Sequence, residues 1–381
     1  MIYFDHAATS YPKPAAVGQA VHHCLTRMGG NPGRGGHAMA MQAAEAVYRV
    51  RQKAARMFGL SEEQVIFTAN CTHALNLLVF GLLKPGDRVV ISDLEHNSVW
   101  RPLRMLEERG VIRLTVAETS LADPGKTLAS FAKALVPGTR MVLCTHASNV
   151  TGTVLPIAEI GRLAHQSGAL MAVDAAQTAG MLPLNLRQME LDFVCMPGHK
   201  GLYGPTGTGL LLIGCNELLE PLHWGGTGSL SAKEEMPDFY PDRLECGTLN
   251  LCGICGLGAG LDFVEHQGAE AIGRRELTLM KQLYRELSAC NGVELYTPEP
   301  CFGLGSSVLS FNISGLSGEE TAQKLSQMGF ALRGGLHCAP LAHQKLGTLQ
   351  RGTVRVSIGA HQTVNDVWRL CEAIKKLQDS V

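Results

Sequence analysis

The 381-residue chain has almost no net charge, with 33 lysines and arginines against 34 aspartates and glutamates. A surface that tracks a phosphate backbone needs a basic excess, so nucleic acid is not an expected partner. The Arg274-Arg275 and Lys375-Lys376 pairs read as solvated helix faces. Long hydrophobic runs are also missing: the best, Leu77 to Leu83, contains Gly81 and stops at Lys84, well short of the roughly 18 apolar residues of a membrane helix. The opening Met1-Ile2-Tyr3-Phe4-Asp5-His6 has no cationic stretch ahead of an apolar one, so no signal peptide is expected and the cytoplasm is the expected compartment. No Walker-type G-x-x-x-x-G-K-[ST] occurs, which argues against a nucleotide triphosphate as ligand. The one C-x-x-C unit, Cys252-Gly253-Ile254-Cys255, lacks the second pair a zinc site wants, so no metal is expected.

Glycine and cysteine, by contrast, are plentiful. The 43 glycines exceed the usual share of about 7%, and the 12 cysteines are expected to be free thiols in a reducing compartment, most of them packing as small hydrophobes. From about residue 15 to 215 helical patterns alternate with short apolar runs, the signature of a mostly parallel sheet covered by helices. The expected strands are Val65-Phe67, Arg88-Ser92, Arg113-Val116, Met141-Thr145, Leu170-Asp174, Phe193-Met196 and Gly209-Ile213. Expected helices include Met39-Phe58, Ala74-Leu82 and Ile157-His165. A single connecting helix is expected from about Leu251 to Leu287. Beyond it, strands Ser307-Ile313 and Gly352-Ile358 and helices Glu319-Met328 and Val364-Leu377 suggest a smaller α+β unit, with Ser317 and the Thr363/Asp366 pair as helix caps. The expected division is a large α/β domain at 15–250 and a small domain at 251–381 that includes residues 1–14.

Open parallel sheets bind ligands beyond the carboxyl ends of their strands, and four such positions carry polar chemistry. Asp174 ends the apolar run Ala169-Val173, where a carboxylate is costly without a cation partner. Lys200 sits in the glycine-rich turn Pro197-Gly198-His199-Lys200-Gly201, among neighbours that can lower its pKa and let it form an imine. Together these two form a pyridoxal phosphate (PLP) constellation, an imine-forming Lys with an Asp for the ring nitrogen. Ala69-Asn70-Cys71-Thr72-His73 leads from a strand into a helix, whose first amides make a phosphate cradle. His96, after the strand Val89-Ser92, offers a flat imidazole for stacking and proton movement. Taken singly, each reads equally as an ion pair, a surface charge, an ordinary N-cap or a structural histidine.

In combination the chain resembles the cysteine desulfurase family of fold-type I PLP enzymes, within the class V aminotransferase superfamily. The landmarks are Asp5-His6-Ala7-Ala8-Thr9, Asn31-Pro32-Gly33-Arg34-Gly35, Thr145-His146-Ala147-Ser148-Asn149-Val150-Thr151-Gly152, Val173-Asp174-Ala175-Ala176-Gln177, Gly198-His199-Lys200, Glu245-Cys246-Gly247-Thr248-Leu249-Asn250 and Arg333-Gly334-Gly335-Leu336-His337-Cys338. The resemblance implies a seven-stranded, mostly parallel sheet. It implies that Lys200 binds the cofactor covalently, Asp174 meets the pyridine nitrogen, Gln177 the ring oxygen and His96 the ring face. Cys71, Thr72 and His199 would lie at the phosphate, completed in a homodimer by the neighbouring subunit's loop that carries Thr227 and Ser229. Asn149, Arg333 and Arg355 would hold the substrate, the last through a guanidinium fork suited to a carboxylate. Cys338 falls at the position of the family's nucleophile, flanked by His337 and Arg333 as a reactive thiol requires.

The activity this implies is conversion of L-cysteine to L-alanine, with the sulfur moving to Cys338 as a persulfide and then to a thiol or protein acceptor. The compact Cys338 segment resembles the SUF-type and selenocysteine lyase-like group, so L-selenocysteine is an alternative substrate. Another class V aminotransferase or lyase with a structural Cys338 is the alternative enzyme, and a sulfur-carrier scaffold the non-enzymatic one. The chain departs from the family pattern at His6, Leu249, Leu336 and His361.

Overall fold

The computed structural model describes residues 1–33 and 36–380; Arg34 and Gly35 of the Asn31-Gly35 landmark lie outside the described residues. Seven strands form one sheet in the spatial order Val65–Thr68, Gly209–Ile213, Phe193–Pro197, Leu170–Asp174, Thr139–Thr145, Arg88–Ser92 and Arg113–Ala117. Only Gly209–Ile213 runs antiparallel to its neighbours. The central strands are buried on both faces, which explains why they read as continuous apolar runs rather than alternating ones. Helices cover the two faces. On one, Val47, Val50, Ala54 and Phe58 of helix Ala38–Phe58 pack with Val142, Val173 and Val194. On the other, Leu75, Leu78 and Leu82 of helix Cys71–Leu82 and Val99 and Leu103 of helix Asn97–Glu108 pack with Ile91, Leu143 and Phe193.

A second, fully antiparallel sheet has the order Arg333–Gly335, Thr353–Ser357, Val308–Ile313 and Val293–Leu295. The N-terminus joins this part of the molecule. Ile2–Tyr3 pairs in parallel with Phe330–Ala331, and Phe4 is fully buried among Leu283, Phe311, Val354 and Ile374. Both predicted capping boxes form, at Ser317 and Thr363.

Two expected helices depart from the sequence reading by more than one residue at an end. The expected helix from Leu251 to Leu287 is two helices, Leu251–Gln267 and Ala269–Ser288, separated by Gly268 at φ 79°. A glycine at positive φ ends a helix because the reversal carries no Cβ penalty. Ile254, Leu257 and Leu261 of the first segment pack with the large-sheet core, whereas Leu279, Leu283 and Leu287 of the second pack beneath the antiparallel sheet. The helix expected from Ala74 begins at Cys71, because the Asn70 side chain caps it by accepting from the His73 amide at 2.9 Å.

Candidate active site

The carboxyl ends of four parallel strands deliver side chains to one cavity of about 230 Å³. Lys200 arrives from the turn after Phe193–Pro197, Asp174 from the end of its strand, His96 from the segment after Arg88–Ser92, and Asn149 from the segment after Thr139–Thr145. Cys71 and Thr72 line it from the start of their helix, together with Gln177 and His199; Arg333 and Arg355 enter from the antiparallel sheet. The glycines flanking Lys200 are steric necessities. A Cβ on Gly198 would stand 2.1 Å from Thr208 Oγ1, and one on Gly201 would stand 2.3 Å from the Ala179 carbonyl.

Asp174 is 2% exposed. Its Oδ1 accepts from the Ala176 amide at 2.9 Å and from the Cys71 thiol at 3.4 Å, while Oδ2 has no protein hydrogen bond among the described residues. A buried carboxylate with no cation in ion-pair range is the feature a protonated ring nitrogen would satisfy. The Cys71 side chain therefore lies against Asp174 rather than in the anion cradle expected for it, and burial pushes its thiol well above the usual range. The main chain tells a different story: with Asn70 capping only His73, the amides of Cys71 and Thr72 lack protein partners among the described residues and remain free for an anion at the helix N-terminus.

His96 is fixed as a neutral imidazole. Its Nδ1 accepts from the Ser98 amide at 3.0 Å and lies 2.8 Å from Ser98 Oγ, which places the proton on Nε2. Burial lowers its pKa to about 4 against the opposing pull of Asp174. Burial lowers Lys200 as well, with Asp174 opposing and Arg355 adding to the effect, so its amine loses a proton more readily than an exposed lysine does. The Lys200 backbone is clamped by the N-terminal segment: Ser10 Oγ donates to the Lys200 carbonyl at 2.9 Å, and Lys13 Nζ and the Ser10 amide donate to the His199 carbonyl at 2.6 and 3.0 Å. His199 is itself held neutral, near 4, by burial.

Arg355 is 2% exposed and its fork is already engaged. One terminal nitrogen meets Asp5 Oδ1 at 2.7 Å, the other donates to the Asn149 carbonyl at 3.1 Å, and Nε is buried without a partner. The Asn149 side chain donates to the His337 carbonyl at 2.7 Å. Gln177 donates to the Ala7 carbonyl at 3.2 Å, leaving its oxygen free at the cavity.

Cys338 is exposed and stands next to the cavity wall, which its neighbour His337 lines. His337 does not supply the positive charge expected of it: burial and then Arg355 push its pKa down to about 2, so it is neutral beside the thiol. Exposure alone does not distinguish Cys338, because Cys301 is exposed too and so does not pack as a core cysteine. Thr227 and Ser229 are not brought into the cavity within the chain; they contact each other at 3.2 Å, and Ser229 also bonds Asp242. The described residues hold no cluster able to bind a metal.

Several residues at the site had no role assigned from sequence. Asp5 was visible as part of a landmark, but nothing local signalled its ion pair with a residue 350 positions away. Glu95, fully buried beside His96, accepts from the Ser92 and Thr145 amides at 3.3 and 3.0 Å and so ties together the ends of two strands. Burial raises its carboxyl to about 8.

The aminotransferase class-V family model matches residues 2–370. The chain belongs to the class-V aminotransferase family. It is 36% identical to a probable cysteine desulfurase of Methanothermobacter thermautotrophicus, over 99% of this chain and 94% of that protein. Among solved structures, an apo cysteine desulfurase from Thermococcus onnurineus matches with a TM-score of 0.92 at 31% identity, covering 100% of this chain and 95% of that one. The cysteine desulfurase CsdA of Escherichia coli, in an S-sulfonic acid form, matches with a TM-score of 0.88 at 26% identity over the same shares. The carboxyl ends of four parallel strands thus bring Lys200, Asp174, His96 and Asn149 to one cavity, the place where an open parallel sheet binds ligands.

Proposed function

We propose that the protein is a PLP-dependent cysteine desulfurase that converts L-cysteine to L-alanine and moves the sulfur to Cys338. The observation that carries this reading is the convergence of Lys200, unpaired Asp174 and neutral His96 on one cavity, with Cys338 at its edge.

The donor set fits PLP. The free amides of Cys71 and Thr72, with Thr72 and His199, suit the phosphate; Asp174 suits the protonated ring nitrogen, Gln177 the ring oxygen, His96 the ring face, and Lys200 the aldehyde carbon. When bound, PLP supplies an electron sink for the charge left by a departing α-proton. Lys200, its pKa lowered by burial, takes that proton. Arg355, Asn149 and Arg333 hold the substrate carboxylate at the cavity's other wall. Cys338, as thiolate, attacks the substrate sulfur: an S–S bond forms, the C–S bond breaks, and its electron pair stays with the β-carbon, which takes up a proton, while Lys200 returns the proton it removed to the α-carbon, so that alanine results. Sulfur remains on Cys338 as a persulfide and leaves to a thiol or protein acceptor that reaches this exposed residue.

The working unit in this reading is a homodimer, in which Thr227 and Ser229 of a neighbouring copy complete the phosphate site they do not reach within one chain. L-selenocysteine presents the same amine and carboxylate, and competition between the two amino acids measures the preference. No helix of the described residues is long and apolar enough to cross a membrane, and the twelve unpaired cysteines accord with the reducing cytoplasm. The test is incubation of purified protein and PLP with L-cysteine. With dithiothreitol present to reduce the Cys338 persulfide, alanine and sulfide released together support the reading; pyruvate and ammonia in place of alanine overturn it.

A further inference from the structure

His337 and Cys338 have φ of 50° and 56°, two successive side-chain-bearing residues in the left-handed region. L-residues rarely adopt this backbone, and it persists only where the surroundings impose it. Here the surroundings are specific. The Asn149 side-chain amide donates to the His337 carbonyl at 2.7 Å, and the Asn97 backbone amide donates to the Cys338 carbonyl at 2.7 Å. Within the turn, the Ala339 amide closes on the Leu336 carbonyl at 3.0 Å, and the His337 ring stacks on His343 with centroids 5.7 Å apart. Both outside donors come from segments that follow strands of the large sheet: Asn149 after Thr139–Thr145, and Asn97 as the first residue of helix Asn97–Glu108, next to His96.

We infer that Asn149 and the Asn97 amide are positioning groups for the Cys338 nucleophile, and that Asn149 couples the substrate carboxylate to the segment carrying that thiol. An amide nitrogen carries two hydrogens. One holds the His337 carbonyl, and the other is available to a carboxylate bridging to Arg355, whose own terminal nitrogen binds the Asn149 carbonyl. Occupation of the carboxylate site is thereby felt at the peptide that presents Cys338. This inference rests on the reading of Cys338 as nucleophile and Asn149 as a carboxylate contact.

Asn97→Pro removes the one hydrogen bond donated by that amide. Proline suits the first position of a helix, and the preceding His96, at φ −73° and ψ 156°, already has the extended backbone that a following proline requires. In the PLP-loaded enzyme, kcat for alanine formation is expected to fall at least tenfold, with KM for cysteine and the cofactor spectrum unchanged. Wild-type kcat in this variant overturns the inference. The second measurement is the rate at which iodoacetamide alkylates Cys338, read by peptide mass, with and without L-alanine at a concentration that saturates the cofactor's spectral response. Alanine is expected to change the wild-type rate at least threefold and to leave the rate of Asn149→Ala unchanged. Equal responses in the two proteins overturn the coupling, and decide the matter also if Asn97→Pro does not fold. A raised KM in Asn149→Ala with an undiminished alkylation response keeps the carboxylate contact and removes the positioning role; continued turnover by Cys338→Ala instead removes the underlying reading of the nucleophile.

Discussion

Asp5 and Arg355 lie 350 residues apart in sequence and meet at 2.7 Å at the wall of the active-site cavity. The aspartate fixes one edge of the guanidinium and the Asn149 carbonyl fixes another, so the arginine is held in place before any carboxylate arrives. Preorganisation of this kind is what makes an arginine fork effective in recognition. Asp5→Ala leaves a buried guanidinium without its counter-ion. KM for cysteine is expected to rise at least tenfold, about 1.4 kcal/mol of binding, and stability to drop by about 3 kcal/mol, the low end for breaking a buried pair. Steady-state kinetics and urea denaturation check both; an unchanged KM removes Asp5 from substrate recognition.

Arg51 and Glu245 form a two-pronged buried pair at 2.8 and 2.7 Å, and Glu245 also accepts from the Phe67 amide at 2.6 Å. This explains the Glu245 landmark in structural terms: it pins the segment from Gly214 to Asn250, which has neither helix nor strand, to the edge strand Val65–Thr68. Glu245→Ala strands a buried arginine and is expected to cost about 3–5 kcal/mol. A denaturation midpoint equal to wild type would show that the segment is anchored elsewhere.

His146 is 5% exposed, its Nδ1 has no partner, and burial lowers its pKa from 6.5 to about 4. The unfolded chain binds a proton there below about pH 6.5 and the folded chain does not until about pH 4, so this residue makes stability fall as pH drops through that window and leaves it level above. His146→Gln is expected to flatten the loss by up to about 1.4 kcal/mol per pH unit. Denaturation midpoints collected between pH 7 and 4 test this, and parallel curves for the two proteins contradict it.

Much of the fold was legible because its causes are local. Strands such as Leu170–Asp174 and Gly209–Ile213 are bounded as their apolar runs suggested, since helices bury both faces of the large sheet. The cap residues Ser317 and Thr363 act within four residues of themselves. The break at Gly268 was harder to see, because a lone glycine inside a helical pattern is often tolerated. At the site, Lys200, Asp174 and His96 could be found as polar residues ending apolar strands. What sequence could not show is who answers whom across the cavity: that Cys71 turns to Asp174, that Arg355 is held by Asp5, that His337 is neutral, and that Asn149 grips the segment carrying Cys338. Each is set by packing between segments far apart in the chain.

The account stands on Cys338 as the sulfur acceptor. Its most direct test is alanine production from L-cysteine by PLP-loaded Cys338→Ala, with the cofactor spectrum and its response to added L-alanine as controls. The expected result is a loss of at least a hundredfold in alanine formation with both controls as in wild type, because Lys200, Asp174 and His96 are untouched. Alanine formed at the wild-type rate would contradict the account and leave Cys338 a structural residue.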